Sequence, residues 1–193
     1  MSEGMRVAAP TVLMVDDEKR VADGYALRLD DVADVTVAYS GEEALGVVDD
    51  GPAPDVVLLD RHMPEMSGDE VLAALDEGGY YGRVVMVTAV DPGFDVMEMP
   101  FDDYLCKPVD REDVRAVIDQ QRRILAYETL GEYFSVESKR AVLESETAPE
   151  RRESHEGYAE LADRAERLEA RARRLLDDDD IVDGFDRIGR EEL

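Results

Sequence analysis

Cysteine, tryptophan, lysine and long apolar runs are what this chain lacks. Cys106 is the single cysteine in 193 residues. That excludes an intrachain disulfide and any metal knuckle built on two cysteines. No window approaches 18 consecutive apolar residues, which excludes an ordinary transmembrane helix. The opening Met1-Ser2-Glu3-Gly4-Met5-Arg6 has no basic-then-apolar run of a secretory leader, so the expectation is a cytoplasmic protein. Lysine is nearly missing: Lys19, Lys107 and Lys139 stand beside nineteen arginines. Together these 22 basic side chains face 48 acids, for a net charge of −26. Such a surplus repels nucleic-acid phosphates and argues against broad electrostatic DNA binding. High acidity with scarce lysine is similar to the composition of proteins from salt-loving organisms, where a Debye length of about 3 Å in molar salt screens self-repulsion.

What is present is ample for folding. An apolar fraction of 44% supports a real core, and the length suits one full domain plus a smaller module. Short apolar runs at Thr11–Val15, Val35–Ala38, Val56–Leu59 and Val84–Val87 read as strands, three of them continuous enough to be buried on both faces. Asp103–Cys106 is a shorter fifth. Between them lie helical patterns: 18–30 with Val21, Ala22, Tyr25, Ala26 and Leu29; a segment opened by the Ser40…Glu43 capping box; one near 68–77; a shorter one after Asp91-Pro92-Gly93; and a longer one from Asp110 carrying Val114, Val117, Ile118 and Leu125. Five strands alternating with five helices predict an α/β fold, a (βα)5 doubly wound, five-stranded parallel sheet covered on both faces.

After residue 125 the strand-like runs stop. Tyr133, Val136 and Leu143 keep helical spacing, Thr147-Ala148-Pro149-Glu150 combines a capping-box pattern with an early-helix proline, and Tyr158, Leu161, Ala165, Leu168, Ala172 and Leu175 recur at steps of three and four. This heptad seam predicts an α-helical hairpin or coiled-coil module, packed on itself or pairing with partner helices or a second copy. Asp177–Asp180 ends the helix, and Ile181, Phe185 and Ile188 sit in an acidic tail. The expected divisions are 1–8 (flexible), 9–125, 126–180 and 181–193.

Ligands in doubly wound sheets bind beyond the carboxyl ends of the strands. That rule gathers Asp16, Asp17, Asp60, Thr88 and Lys107, each placed where a strand ends. Three carboxylates in one cleft repel one another unless a cation joins them, and hard oxygen ligands with room for water suit Mg²⁺. Lysine offers a point charge to a phosphate, and threonine a movable hydrogen bond. With a carboxylate able to act as nucleophile, the set describes phosphoryl transfer.

These residues stand in four ordered motifs: Val15-Asp16-Asp17-Glu18; Leu58-Leu59-Asp60-Arg61-His62-Met63-Pro64-Glu65-Met66-Ser67-Gly68; Val87-Thr88-Ala89; and Asp103-Tyr104-Leu105-Cys106-Lys107-Pro108. In combination they resemble the response-regulator receiver family, the CheY-like, flavodoxin-like domains of two-component signalling. The resemblance covers about residues 9–125. It implies a protein that is not a classical enzyme: Asp60 accepts a phosphoryl group from a sensor histidine kinase and catalyses only its own transfer and hydrolysis. It further implies Mg²⁺ on Asp17, Asp60 and the His62 backbone carbonyl, with Asp16 acting through water; Lys107 on the phosphoryl oxygens; Thr88 and Tyr104 as the switch pair; and a cis bond before Pro108. In one large subgroup, acid–arginine pairs on the face of the fourth helix, fifth strand and fifth helix build a symmetric dimer; Asp102, Asp103, Arg111, Arg115 and Arg122 lie on that face here, either as such a dimer face or as ordinary solvated charge.

The remaining candidates carry less. His62 either tunes phosphoryl lifetime or is an inert loop residue. Val90 offers no group to orient a hydrolytic water. Cys106 reads as a small buried hydrophobe. Leu130-Gly131-Glu132-Tyr133-Phe134-Ser135 and the heptad seam resemble the HalX helical domain that follows receivers in halophilic archaea, over roughly 126–180. Two other outputs remain open. A DNA-binding transcription regulator would need a basic recognition surface, and residues 126–193 hold 20 acids against 11 bases, with Arg164, Arg167, Arg171, Arg173 and Arg174 interleaved with glutamate. A phosphorelay intermediate would use His155 in Ser154-His155-Glu156, where the following proline of a histidine-kinase helix is replaced by Gly157-Tyr158.

Overall fold

The computed structural model describes residues 9–89 and 92–176. The expectations for residues 1–8, Val90, Asp91, Asp177–Asp180 and the tail at 181–193 lie outside the described residues. By packing, the chain divides into one unit over residues 9–122 and a second from residue 123 onward.

The first unit is built on β1 (Thr11–Val15), β2 (Asp34–Ala38), β3 (Val56–Leu59), β4 (Arg83–Thr88) and β5 (Asp103–Cys106). All pair in parallel, in the order β2-β1-β3-β4-β5. The period of two along each strand splits its residues between two cores. Val12, Met14, Val56, Leu58, Val85 and Val87 face one side. There they meet Tyr25 and Leu29 of α1 (Lys19–Leu29) and Val114 and Ile118 of α4 (Arg111–Glu146). Leu13, Val15, Val57, Leu59, Val84 and Met86 face the other. Ala44 of α2 (Gly41–Asp50) and Val71, Leu72 and Leu75 of α3 (Gly68–Glu77) cover that side. Both faces of the middle strands are thereby closed, as their unbroken apolar runs require.

The capping at Ser40 is half of what its motif predicts. Ser40 Oγ accepts from the Glu43 N–H at 3.2 Å, but the Glu43 carboxylate reaches back to the Tyr39 N–H at 2.7 Å rather than to Ser40. Between β4 and β5 the chain forms a short 3-10 turn, Phe94–Glu98, in place of a regular fourth helix. Cys106 is exposed, contrary to the buried position expected of it. β5 is an edge strand and Cys106 is its last residue, so among the described residues no strand pairs with it on the open side.

The helices expected from Asp110 and around Tyr133 are one. α4 runs for 36 residues because no proline falls between Pro108 and Pro149, and its start is capped by Asp110 Oδ1, which accepts from the Glu112 and Asp113 N–H groups at 3.0 Å. Pro149 opens a five-residue α5 (Pro149–Glu153) from Ala148, so the Thr147 capping box does not form. α6 (Glu156–Leu175) follows. In the second unit, Leu125, Ala126 and Leu130 of α4 bury against Ala172, Leu175 and Leu176, with Phe134 packed alongside. The C-terminal end of the α6 seam, Ala172 and Leu175, packs on α4 as a helical pair, while Tyr158, Leu161 and Leu168 are half-buried.

Candidate functional site

The strand order places β1 and β3 side by side, so the residues that follow them are neighbours. The ladder continues past the strand ends: the Asp60 N–H donates to the Val15 carbonyl at 2.9 Å and the Asp16 N–H to the Ala38 carbonyl at 3.2 Å. On the other flank, the Lys107 N–H donates to the Thr88 carbonyl at 2.7 Å, across β4 and β5. Four adjacent strand ends thus present Asp16, Asp60, Thr88 and Lys107 in spatial sequence.

Asp16 and Asp60 are only 1% and 6% exposed. The Lys107 ammonium bridges them, with Nζ 2.7 Å from Asp16 Oδ2 and 2.7 Å from Asp60 Oδ1. The second oxygen of each carboxylate is held by backbone: Asp16 Oδ1 accepts from the Glu18 N–H at 2.9 Å, and Asp60 Oδ2 from the His62 N–H at 2.8 Å. Burial pulls the Lys107 ammonium toward neutrality, but its hydrogen bonds to Asp16 and Asp60 outweigh that, and its pKa lies above the ordinary lysine value. Lys107 is therefore a fixed positive charge. The bond between Lys107 and Pro108 is cis.

Asp17 is half-buried beside Asp16 and makes no ion pair among the described residues. With three carboxylates and one ammonium, the cleft carries two formal negative charges in excess. Among the described residues no three acidic or imidazole side chains close around one point. A cation here would take two carboxylates and a backbone oxygen and complete its shell with water, and that incomplete donor set of hard oxygens fits Mg²⁺, which dehydrates reluctantly. Thr88 is buried at 1%. Tyr104 is half-buried on β5, its ring 5.6 Å from that of Phe101. The His62 side chain is exposed.

Sequence reasoning placed a loop after Asp60 but not the contacts that hold it. Gly68 approaches Asp60 so closely that a Cβ would lie 2.2 Å from the Asp60 carbonyl oxygen, so only glycine fits. Ser67 and Glu70 form a full capping box on α3. Its signature, Ser67-Gly68-Asp69-Glu70, was legible. The ion pair between Arg61 and Asp69 was not, since nothing periodic links residues eight apart across a loop.

Four of the five candidate dimer charges have partners inside the first unit, whereas the buried Arg122 Nε has no hydrogen-bond partner among the described residues. Arg111 and Arg115 face Asp31, Arg83 pairs with Asp102 at 3.0 Å, and Gln121, 1% exposed, donates to Asp103 at 3.1 Å while accepting from Arg83 at 3.0 Å. In the helical unit His155 stands exposed at the N-cap of α6, on the rim of a concavity of about 450 Å³ that it shares with Leu143, Arg151, Arg152 and Tyr158.

Comparison with known proteins matches residues 12–119 to the response regulator receiver domain and residues 123–187 to the HalX domain. A Haloferax volcanii protein, named provisionally as a transcriptional regulator, is 43% identical over 171 residues, 88% of this chain and 29% of its own length. The transcriptional regulatory protein CiaR of Streptococcus pneumoniae is 36% identical over 107 residues, 54% of this chain and 47% of its own. The chain therefore spans less than half the length of either. Among solved structures, the BeF3-activated receiver domain of DrrB superposes with a TM-score of 0.53 at 27% identity, covering 58% of this chain and 97% of that one.

Proposed function

The chain belongs to the response regulator receiver family, its receiver domain followed by a HalX domain, and from that membership and the charge of the cleft we propose that it is a switch thrown by phosphorylation of Asp60. The observation that carries this reading is the buried Asp16–Lys107–Asp60 bridge at the β1/β3 crevice. The donor is the phosphohistidine of a sensor kinase. An Asp60 carboxylate oxygen attacks phosphorus, the P–N bond breaks, and its electron pair stays on the departing imidazole. Asp60 and the His62 carbonyl, with Asp17 and water-mediated Asp16, would hold Mg²⁺. The metal supplies neutralisation of the carboxylates and of the incoming phosphoryl charge. Lys107 moves its hydrogen bond from the Asp60 carboxylate to a phosphoryl oxygen.

A phosphoryl group brings about −1.5 to −2 charges and three acceptor oxygens. Thr88 donates its hydroxyl to one of them, and Tyr104 follows into the space Thr88 vacates. The equilibrium shifts only because the phosphoryl group interacts differently with the two arrangements of this pair. The output is a change in protein–protein contact through the helical unit, in the cytoplasm. Intact mass after incubation with acetyl phosphate and Mg²⁺ in high salt tests the reading. One added phosphoryl group in the parent and none in Asp60→Asn is the expected result; equal labelling of both overturns the assignment.

A transcriptional output is a second reading, favoured by the names of the Haloferax and Streptococcus relatives. Against it, Arg164 and Arg173 of α6 are paired with Glu132 and Glu169. A gel shift at working salt separates the two: retardation that rises on phosphorylation supports a DNA-directed output.

A further inference from the structure

The loop from Arg61 to Ser67 has a demanding task, because it fixes both Asp60 and the His62 carbonyl. Its base is closed by backbone: the Gly68 N–H donates to the Arg61 carbonyl at 2.9 Å, and Gly68 is pressed against the Asp60 carbonyl. Its tip is strained. Glu65 is a non-glycine residue at φ +66°, in a turn where the Met66 N–H donates to the Pro64 carbonyl at 2.8 Å. A left-handed residue of this kind persists only where its surroundings hold it.

One contact spans the base from outside. The Arg61 guanidinium forks onto Asp69, with Nε 3.0 Å from Oδ1 and a terminal nitrogen 3.1 Å from Oδ2. The Arg61 side chain is only 13% exposed. Charge-assisted, two-point pairing of this geometry fixes orientation as well as distance. One end of the fork is covalently next to Asp60 and to His62; the other is in the first turn of α3, which is locked by its own capping box.

We propose that the Arg61–Asp69 pair is a positioning clasp for the phosphoacceptor site. It holds the His62 carbonyl and the Asp60 carboxylate in place for a divalent cation. It therefore sets cation affinity and leaves the rate of phosphoryl transfer at saturating cation unchanged. The inference rests on the reading of Asp60 as an Mg²⁺-dependent phosphoacceptor.

The test is Mg²⁺ binding to the unphosphorylated full chain, by calorimetry in high KCl, for the parent, Arg61→Ala, Asp69→Asn, Arg61→Lys and the double exchange Arg61→Asp with Asp69→Arg. Loss of an outer partner of a metal ligand weakens binding by about 10–100-fold, and the lower end, about tenfold, is expected for Arg61→Ala and Asp69→Asn. The Mg²⁺ half-saturation of acetyl-phosphate labelling should shift by the same factor at an unchanged limiting rate. Arg61→Lys should recover part of the affinity, because an ammonium supplies the charge without the fork. The double exchange should recover most of it. Asp69→Asn keeps the shape of a side chain that is 44% exposed, so it serves if Arg61→Ala fails to fold. Unchanged Mg²⁺ affinity in the folded single variants, with only a lower melting temperature, overturns the clasp and leaves a stabilising ion pair. Failure of the parent itself to bind Mg²⁺ or take label overturns the phosphoacceptor reading, and the clasp with it.

Discussion

The two units spend their apolar residues differently. The sheet buries Val12–Val15, Val56–Leu59 and Val84–Val87 from both sides, so that twelve consecutive-run residues are sealed between two helical layers. The helical pair buries one side of each helix, with Leu125, Ala126, Leu130, Ala172, Leu175 and Leu176 as its main cluster and Val136 and Ala165 buried besides. A doubly covered sheet tolerates polar groups only at the strand ends, and there Asp16, Asp60 and Thr88 are buried. In the helical pair the charged groups pair locally along the helices, as Arg140 does with Glu137 and the more exposed Arg173 with Glu169. Chemistry follows burial: the first arrangement concentrates charge, the second disperses it.

The same deletion in each unit sharpens the contrast. Leu58→Ala removes a side chain 1% exposed and packed on all sides, and should cost about 4 kcal/mol. Urea unfolding of the sheet, followed by loss of its strand signal, reads that cost. Leu175→Ala removes one 2% exposed at the seam of the pair; its surroundings can close partly over the gap, and about 2 kcal/mol is expected. Its signature is an earlier loss of helical ellipticity with acetyl-phosphate labelling retained. Coincident shifts of both signals in both variants would break the comparison and make the units one cooperative body. Between these falls Lys107→Met. Removing the ammonium leaves Asp16 and Asp60 buried without it, at a cost on the order of 3 kcal/mol that added Mg²⁺ should partly restore. The raised pKa of Lys107 gives the parent a matching alkaline limb. The stabilisation is fully present below the unfolded lysine value of 10.5 and is lost as pH rises above it through the folded value. Lys107→Met should lack that limb, which melting temperatures across the alkaline range would reveal.

Legibility in the sequence tracks the same divide. Three of the five strands, β1, β3 and β4, and the candidate site at their ends were readable because a strand sealed on both faces must be an unbroken apolar run, and the polar residue at its end, Asp16, Asp60 or Thr88, marks the mouth of the sheet. Cys106 was misjudged because apolar character was taken for burial, while strand order, which puts β5 at the edge, is a property of the assembled sheet. The helical stretch was readable as helix and unreadable in its joints. Gly131 looks like an interruption but has open space around it and lies inside α4, whereas Thr147 looks like a cap and is not one. Spacing also foretold that α6 has an apolar seam without saying which of its residues pack on the same chain; Ala172 and Leu175 pack on Leu125 and Leu130. The Arg61–Asp69 pair escaped because an ion pair across a loop leaves no period in the sequence.

The smallest effect expected separates capping from clasping at the same turn. Ser67 Oγ accepts from the Glu70 N–H at 3.3 Å, and the Glu70 carboxylate accepts from the Ser67 N–H at 2.8 Å and its hydroxyl at 2.7 Å. Hydrogen bonds from the Ser67 hydroxyl and backbone hold the Glu70 carboxyl below its ordinary range. A lowered folded pKa means that stabilisation is present above the unfolded value of 4.5 and fades as pH falls through the folded one. Ser67→Ala removes the N-cap of α3 and should cost about 1 kcal/mol at neutral pH; the direction of the Glu70 shift means that the difference from the parent should shrink as the pH drops below 4.5. Melting temperatures of the two proteins at neutral and acid pH check this. If Mg²⁺ affinity falls in Ser67→Ala as far as in Arg61→Ala, the start of α3 acts as a single rigid block, and the positioning assigned to Arg61 belongs to the whole turn.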